Sequence, residues 1–245
     1  MLDRELELWQ ERTQQLQLQY SELAQIAGSL AHEIKNPLSV IRMNMELVEE
    51  ELVDAESPRE RRVWTKIQTV HDQCVRLERL LNDFLKFAKL RDLELSVGSL
   101  NKQITMVLDM YEAQAQSQNV EIVRYMDPEL PAMRMDVETL QAALANLIKN
   151  ALESMPDGGE LTVRTHLTPS GIAMDLIDTG YGMSEDTASN MFTAFYTTKP
   201  AGSGLGLPMA RKVVSAHGGR IGVESEEGHG TKFTLEFPTP ARLEE

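Results

Sequence analysis

The sequence has almost no cysteine and no long apolar segment. Cys74 is the only cysteine among 245 residues, so an intrachain disulfide is excluded and a reducing compartment is expected. No apolar run approaches the roughly 18 residues that a membrane span requires, and no secretory signal peptide is recognisable. We therefore expect a cytoplasmic protein with no membrane span in this chain.

Positive charge is also scarce. The chain has 24 Lys and Arg against 38 Asp and Glu, which gives a formal net charge of −14. Because a nucleic-acid surface needs a cationic field, this charge argues against a nucleic-acid surface, and we expect no nucleic-acid partner. The composition, 42% hydrophobic and 25% charged, is that of an ordinary globular protein, and the length suits one large domain or two of average size.

Two apolar repeats in the first ninety residues predict long helices. In both, the spacing alternates between four and three, as in the a/d seam of a coiled coil. The first repeat comprises Leu2, Leu6, Trp9, Thr13, Leu16, Tyr20, Leu23, Ala27, Leu30 and Ile34, and the second Val63, Ile67, Val70, Cys74, Leu77, Leu81, Phe84 and Ala88. A polar turn at 54–58 separates them and predicts a helical hairpin. Since one hairpin has too small a core to stand alone, we expect a homodimeric four-helix bundle.

One histidine in this region has chemically suggestive neighbours. With Ile34 at an a position, His32 falls at f and faces solvent, where a neutral imidazole can act as a nucleophile. Glu33 and Asn36 lie within about one helical turn of it, and Pro37 is expected to bend the helix. The alternative interpretation is an ordinary surface histidine on a coiled coil.

The second half of the chain mixes helices with strands. The pattern predicts helices at 100–118, 136–154 and 205–217, and strands at 120–126, 160–167, 172–178, 219–225 and 231–237. The last two strands are expected to form a hairpin around 226–230. The order of elements predicts a mixed sheet with helices on one face, an α+β sandwich.

A pair of amides on the predicted helix 136–154 is the first candidate for nucleotide chemistry. Asn146 and Asn150 are four residues apart and project from one side, with Lys149 beside them. An amide oxygen suits Mg²⁺, and a lysine suits phosphate oxygens as a point charge. The alternative is a set of ordinary solvated helix residues.

A carboxylate followed by glycines is the second candidate. Asp178 ends an apolar strand and precedes Gly180 and Gly182. The glycines allow the backbone to approach a flat ligand, and the carboxylate can accept a hydrogen bond from an exocyclic amine such as that of adenine. Turn chemistry explains the same pattern equally well.

A glycine-rich segment before a helix is the third candidate. Gly202, Gly204 and Gly206 follow Lys199, and free N–H groups at the helix N-terminus attract phosphate. The spacing matches neither the Rossmann fingerprint nor the P-loop. We expect a mobile lid anchored by the aromatic residues Phe192, Phe195 and Tyr196. The later run Gly228–Thr231 is predicted to be a structural hairpin turn.

Taken in order, these motifs resemble those of a sensor histidine kinase transmitter. The run 32–37 resembles the phosphoacceptor box, 146–150 the N box, 178–182 the first glycine box, 192–199 the F box and 202–206 the second glycine box. The phosphoacceptor and F boxes look most similar to the nitrogen-regulation-type branch. Ala194 departs from the family, which usually has proline there, and Thr179 replaces the commoner asparagine.

The resemblance implies three regions. These are a coiled-coil signal-input helix at 1–21, a dimerisation and histidine phosphotransfer domain at 22–92, and a catalytic ATP-binding domain at 97–240. The last would be an α/β sandwich of the gyrase, chaperone and histidine-kinase type. The first repeat is in register from Leu2, so we also expect an upstream sensor domain, either removed in cis or acting in trans.

The resemblance also implies a role for each motif. His32 would attack the γ-phosphate of ATP with Glu33 as general base, and the phosphoryl group would pass to an aspartate on the receiver domain of a response regulator. Asn150 would bind Mg²⁺ and Asp178 the adenine amine. Asn36 would orient a water in a phosphatase reaction on the regulator. The other candidates for nucleotide binding are Asn146, Lys149, Gly180, Gly182, Lys199, Gly202, Gly204 and Gly206.

Two other functions fit part of the pattern. An ATP-gated coiled-coil scaffold would bind nucleotide and repack its helices without phosphorylation. An ATP hydrolase of the same fold, such as a mismatch-repair relative, would cleave ATP, but it does not need the histidine box on a heptad stem.

Overall fold

A computed structural model of the chain describes residues 31, 33–50, 52, 57–89, 93–199 and 202–238. The chain divides into two compact units, Met1–Lys89 and Leu90–Glu245. The predicted coiled-coil seam before Ala31, His32, and the turn residues 54–56 lie outside the described residues. Within the part that is described, no helix is both long and apolar enough to cross a bilayer.

The described residues of the first unit form two helices, α1 over 33–50 and α2 over Pro58–Lys89. A capping box starts α2: the Glu60 N–H donates to Ser57 Oγ at 3.2 Å, and the Ser57 N–H donates to the Glu60 carboxylate at 3.0 Å. Pro58 occupies the first helical position, where its missing N–H costs nothing. The sequence therefore explains where α2 begins.

The two helices run antiparallel. Ser39 Oγ donates to Glu78 Oε1 at 3.2 Å, while His71 Nε2 lies 3.7 Å from Glu46 Oε1. The later residue of α1 thus contacts the earlier residue of α2, as expected for antiparallel helices. The predicted helical hairpin is confirmed for the described residues.

The second apolar repeat divides into two sets of residues. Cys74 is buried, whereas Val63, Val70 and Leu77, spaced by seven, are exposed on α2. On α1, Leu38 is buried and Ile34 and Ile41 are exposed. We call Val63, Val70 and Leu77 the α2 stripe. Residues seven apart share one helix face, so a single hairpin leaves a continuous apolar row on α2 uncovered.

The second unit is an α/β sandwich. Its elements are β1 (Ser96–Gly98), α3 (Leu100–Ser117), β2 (Val120–Tyr125), β3 (Met133–Met135), α4 (Val137–Glu153), β4 (Gly159–Thr168), β5 (Gly171–Asp178), α5 (Glu185–Asn190), α6 (Gly206–Ala216), β6 (Arg220–Glu226) and β7 (Gly230–Pro238). The five-stranded sheet has the order β2-β4-β5-β7-β6. Only the β2–β4 pair in it is parallel among the described strands, and β1 pairs with β3 in a separate antiparallel ribbon.

One face of the sheet carries the core. On β7, Phe233, Leu235 and Phe237 are buried, while the residues between them are half-buried and polar. This alternation places one set of side chains against the apolar faces of α3, α4 and α6. The predicted mixed sheet with helices on one face is confirmed.

Each predicted helix and strand of this unit is present within one residue of its predicted bounds. The sequence did not predict β1, β3 or α5. These elements have three, three and six residues, too few to display a period of 2 or 3.6.

Asp175 lies on the polar face of β5 but is only 1% exposed. Arg164 Nη2 approaches its Oδ2 to 2.6 Å, and Thr234 Oγ1 donates to its Oδ1 at 2.7 Å. Burial raises the pKa of Asp175, but these hydrogen bonds and the charges of Lys232 and Arg164 outweigh it, so the pKa lies below its ordinary value. The carboxylate is therefore a stabilising charge in the folded state.

Replacing this carboxylate is expected to change the acid stability of the fold. Because its folded pKa is lowered, its contribution is present above the ordinary Asp pKa and is lost as pH falls through the folded pKa. Asp175→Asn should cost about 1–3 kcal/mol at neutral pH and flatten the loss of stability below roughly pH 4. Urea unfolding followed by circular dichroism from pH 7 to 3 measures both effects. Asp109→Asn, at an exposed ion pair, is the control, and equal pH profiles for the two variants would contradict the account.

Candidate functional site

The two candidate amides lie on α4, whose burial determines their direction. Asp136 caps this helix, and its Oδ1 accepts a hydrogen bond from the Thr139 N–H at 3.0 Å. The core side of the helix is formed by Leu140, Ala143, Leu144, Leu147, Ile148, Ala151 and Leu152. Asn146 and Asn150 are half-buried at its flank, one turn apart, while Lys149 is exposed.

Asp178 ends the central strand β5 and is only 4% exposed. Its Oδ1 accepts hydrogen bonds from the Gly180 N–H at 2.9 Å and Ser154 Oγ at 3.1 Å, and the Thr231 N–H adds a further donor. Burial raises the pKa of Asp178 above its ordinary value, although these hydrogen bonds and the Lys199 charge oppose the rise. The result is a buried, oriented acceptor of the kind that recognises a polar ligand group.

The two glycines after β5 allow the chain to pack closely. A Cβ on Gly180 would lie 2.1 Å from Ser154 Oγ, and a Cβ on Gly182 would lie 1.9 Å from the Glu226 carbonyl oxygen. Gly182 also has φ of +65°, a conformation that disfavours other residues. Both positions therefore require glycine.

The second glycine-rich segment contacts both the asparagine helix and the aromatic run. A Cβ on Gly206, the first residue of α6, would lie 3.5 Å from Asn146 Oδ1. Gly204 has φ of +67°, and its carbonyl accepts a hydrogen bond from the Phe195 N–H at 3.0 Å. The structure thus brings together the predicted N box, F box and second glycine box. Pro200 and Ala201 lie outside the described residues.

The N-terminus of α6 carries no cap. Leu205 precedes it without a side-chain hydrogen bond, and its first turn holds no acidic residue. By contrast, the described helices α3, α4 and α5 of this unit are capped by Ser99, Asp136 and Ser184. Because the first N–H groups of a helix carry partial positive charge, this end of α6 is suited to an anion such as phosphate.

Lys199 connects the F-box segment to α4. Its Nζ donates to Asn150 Oδ1 at 2.9 Å and forms an ion pair with Glu153, which also lies 3.7 Å from Lys149 Nζ. The amide oxygen of Asn150 therefore already faces a cation. Among the described residues, no group of three or more His, Cys, Asp or Glu side chains is arranged to hold a metal. A metal here would take Asn150 and phosphate oxygens, a mode that Mg²⁺ commonly uses.

The three aromatic residues predicted to anchor the lid differ in burial. Phe192 is half-buried against the core, with the Arg211 guanidinium 5.3 Å from its ring centre, and Tyr196 is half-buried. Phe195, however, is 59% exposed. Its φ is +69°, and its N–H donates to the Gly204 carbonyl at 3.0 Å, so a main-chain hydrogen bond joins it to the second glycine-rich segment.

The sequence did not identify Ser154 or Thr231 as site residues. The hairpin predicted at Gly228–Thr231 is present, but Thr231 also pairs with Asp178 across β5 and β7. Ser225 Oγ supports it at 2.9 Å from Thr231 Oγ1. Aligning the predicted strands in register would have found Thr231, whereas Ser154 carried no signal of its own.

The structure describes two of the three residues of the first unit that were predicted to be catalytic. Glu33 and Asn36 are helical and exposed on α1, and the helix continues on both sides of Pro37. His32 itself lies outside the described residues, and the bend at Pro37 stays a prediction.

Comparison with known protein families identifies the family of this chain. Residues 22–93 match the His Kinase A (phospho-acceptor) domain, and residues 135–241 match the histidine kinase-, DNA gyrase B- and HSP90-like ATPase family. The chain is a sensor histidine kinase transmitter. The second unit contains the ATPase match, and the helical hairpin of the first unit lies within the phospho-acceptor match.

Several curated proteins are similar to this transmitter. Sporulation kinase E of Bacillus subtilis (strain 168) is 30% identical over 224 residues, which is 91% of this chain and 29% of that protein. Sensor histidine kinase ZraS of Escherichia coli (strain K12) is 31% identical over 216 residues, 88% of this chain and 45% of ZraS. The transmitter thus spans less than half the length of these relatives.

Solved histidine kinases share the fold. Full-length ShkA in complex with AMPPNP superposes with a TM-score of 0.69 at 26% identity, covering 88% of this chain and 46% of ShkA. ThkA in complex with the response regulator protein TrrA superposes with a TM-score of 0.63 at 25% identity, covering 88% of this chain and 61% of ThkA.

The requirement for glycine at 182 can be tested against a matched position. Gly228 also has positive φ, but a Cβ there would meet nothing within 4 Å. Gly228→Ala should therefore cost only the left-handed strain, about 1–2 kcal/mol, whereas Gly182→Ala should cost more because it also clashes with Glu226. Urea unfolding of the two variants measures the difference. Equal losses would show that the close contact at Gly182 does not constrain the loop.

Proposed function

We propose that the transmitter is an ATP-dependent protein-histidine kinase that phosphorylates His32 and passes the phosphoryl group to an aspartate on a response regulator. The observation that carries this proposal is the convergence of three features in one unit: the buried acceptor Asp178, the amides of α4, and the uncapped N-terminus of α6. Together they suit the two ends of ATP. Asp178 suits the adenine base, and the amides of α4 and the N-terminus of α6 suit the phosphates.

The adenine end is assigned to Asp178. Its carboxylate would accept a hydrogen bond from the exocyclic amine, and Gly180 and Gly182 would leave room beside the base. The burial of Asp178 and its fixed hydrogen bonds from the Gly180 N–H and Ser154 Oγ support this assignment.

The phosphate end is assigned to α6 and the lysines near α4. The N–H groups that begin α6 would bind phosphate oxygens, with Gly202, Gly204 and Gly206 shaping the segment. Asn146, Lys149 and Lys199 would lie beside the phosphates, where ammonium groups offset negative charge. Asn150 would be the protein ligand of Mg²⁺, which supplies charge neutralisation on the phosphates when bound. The cation already present at Asn150 Oδ1, Lys199 Nζ, supports the assignment.

Transfer of the γ-phosphoryl group is assigned to residues in the region of α1. A nitrogen of His32 would form a bond to the γ-phosphorus while the bond between that phosphorus and the β,γ-bridging oxygen breaks, and ADP would leave. Glu33 would accept the imidazole proton. The exposed position of Glu33 on α1, next to His32 in sequence, supports this role. Asn36, one turn along, would orient water for dephosphorylation of the regulator.

We assign two partners to the transmitter. The first is a second copy, because the uncovered α2 stripe and the exposed Ile34 and Ile41 need an apolar partner. The second is a response regulator receiver domain, the partner class with which the similar kinase ThkA was solved. An upstream sensor domain, in cis or in trans, stays a prediction.

The finer organisation is also a proposal. We retain the boundaries 1–21 for the input helix, 22–92 for the dimerisation and phosphotransfer domain, and 97–240 for the catalytic domain. The runs 32–38 and 195–199 favour the nitrogen-regulation-type branch.

Labelled ATP tests the kinase proposal directly. With γ-labelled ATP and Mg²⁺, the chain should acquire label that is stable to alkali and released by acid, as expected of a phosphoramidate. His32→Gln should abolish it, whereas His71→Gln, on α2, should not. Label retained by His32→Gln would contradict the proposal. Nucleotide binding without label would indicate the scaffold, and phosphate release without label the hydrolase.

The phosphatase role is tested by Asn36→Ala. This change should slow dephosphorylation of a phosphorylated regulator by at least about tenfold, because the attacking water loses its orienting amide, while His32 labelling stays within about twofold. Asn44→Ala, an exposed α1 asparagine that bonds the Val40 carbonyl, is the control. Loss of His32 labelling in Asn36→Ala, with dephosphorylation unchanged, would contradict the assigned role.

A further inference from the structure

Ser154 joins the asparagine helix to the loop after β5. It follows α4 at the C-cap position, four residues after Asn150. Its Oγ lies 3.1 Å from Asp178 Oδ1, and its carbonyl accepts a hydrogen bond from the Tyr181 N–H at 3.1 Å. Gly180 packs directly against the same side chain. Ser154 thus contacts the Asp178 carboxylate, Gly180 and the backbone of Tyr181.

The Ser154 hydroxyl is held in a defined place. Its Oγ also lies 2.7 Å from the Ala151 carbonyl oxygen, one turn back on α4. Neither a carbonyl nor an ionised carboxylate can donate, so the single hydroxyl proton is shared between these two acceptors. The Gly180 N–H binds the same oxygen of Asp178. Two donors on Oδ1 restrict rotation of the carboxylate.

We propose that Ser154 is a positioning residue that sets the base preference of the nucleotide site by orienting the Asp178 carboxylate toward the 6-amine of adenine. The inference rests on the proposed function, in which Asp178 binds that amine. Without the hydroxyl, a carboxylate that is only 4% exposed loses one of its donors and is freer to rotate or to take up a proton. A protonated carboxyl donates, and it would then tolerate a 6-oxo purine.

Base preference separates this role from a merely structural one. ATP and inosine triphosphate share ribose and triphosphate. Their bases differ at purine position 6, where an oxo group replaces the amine, and at N1, which carries a hydrogen in the 6-oxo purine. Titration calorimetry of the full chain with each nucleotide and Mg²⁺ should show tighter binding of ATP. Ser154→Ala should weaken ATP binding about tenfold and leave inosine triphosphate within about twofold, so that the preference falls about tenfold.

Two further variants keep the test decisive. Ser154→Cys has a similar volume but a weak S–H donor, so it should give an intermediate preference even if the alanine variant fails to fold. Ser184→Ala removes the cap hydroxyl of α5, which accepts a hydrogen bond from the Thr187 N–H, and should leave the preference unchanged. Equal weakening of both nucleotides in the Ser154 variants, or no change in their preference, would overturn the inference.

Asp178→Asn distinguishes failure of this inference from failure of the proposed function. If wild type shows no base preference, or Asp178→Asn leaves it unaltered, the adenine role of Asp178 is wrong and the inference falls with it. If Asp178→Asn alters the preference while the Ser154 variants do not, only the positioning role is overturned.

Discussion

The second unit depends on one buried charge, the carboxylate of Asp178 at the end of the central strand β5. An unpaired carboxylate at this depth would cost several kcal/mol. It is tolerated because Gly180 and Thr231 point backbone N–H groups at it and Ser154 points a hydroxyl. These donors come from the loop after β5, from β7 and from the end of α4. Satisfying one charge therefore fixes the relative positions of three elements.

The phosphate end follows from the same helix. Ser154 lies one turn beyond Asn150, so the element that holds Asp178 also positions the amide oxygen facing Lys199. The uncapped N-terminus of α6 lies beside Asn146 on that helix. A chain with a net charge of −14 can thus present a local cationic end to a triphosphate, because helix N–H groups and two lysines act over short distances.

Features that depend on local periodicity were predictable from the sequence. The heptad spacing predicted the hairpin, and the alternation of buried and polar residues predicted the long strands within one residue. The contact of Ser154 depends on a single tertiary hydrogen bond and was not predictable, whereas Thr231 was missed because the predicted strands were not aligned in register. The exposure of Phe195 was not predictable either, because hydrophobicity alone does not reveal a positive φ.

A crystal structure of the chain with Mg²⁺ and a non-hydrolysable ATP analogue tests the central claim most directly. The account predicts the adenine amine within hydrogen-bond distance of Asp178, the metal on Asn150 Oδ1, and Lys199 Nζ moved from Asn150 to a phosphate oxygen. A base bound away from Asp178, or a metal held without Asn150, would contradict it.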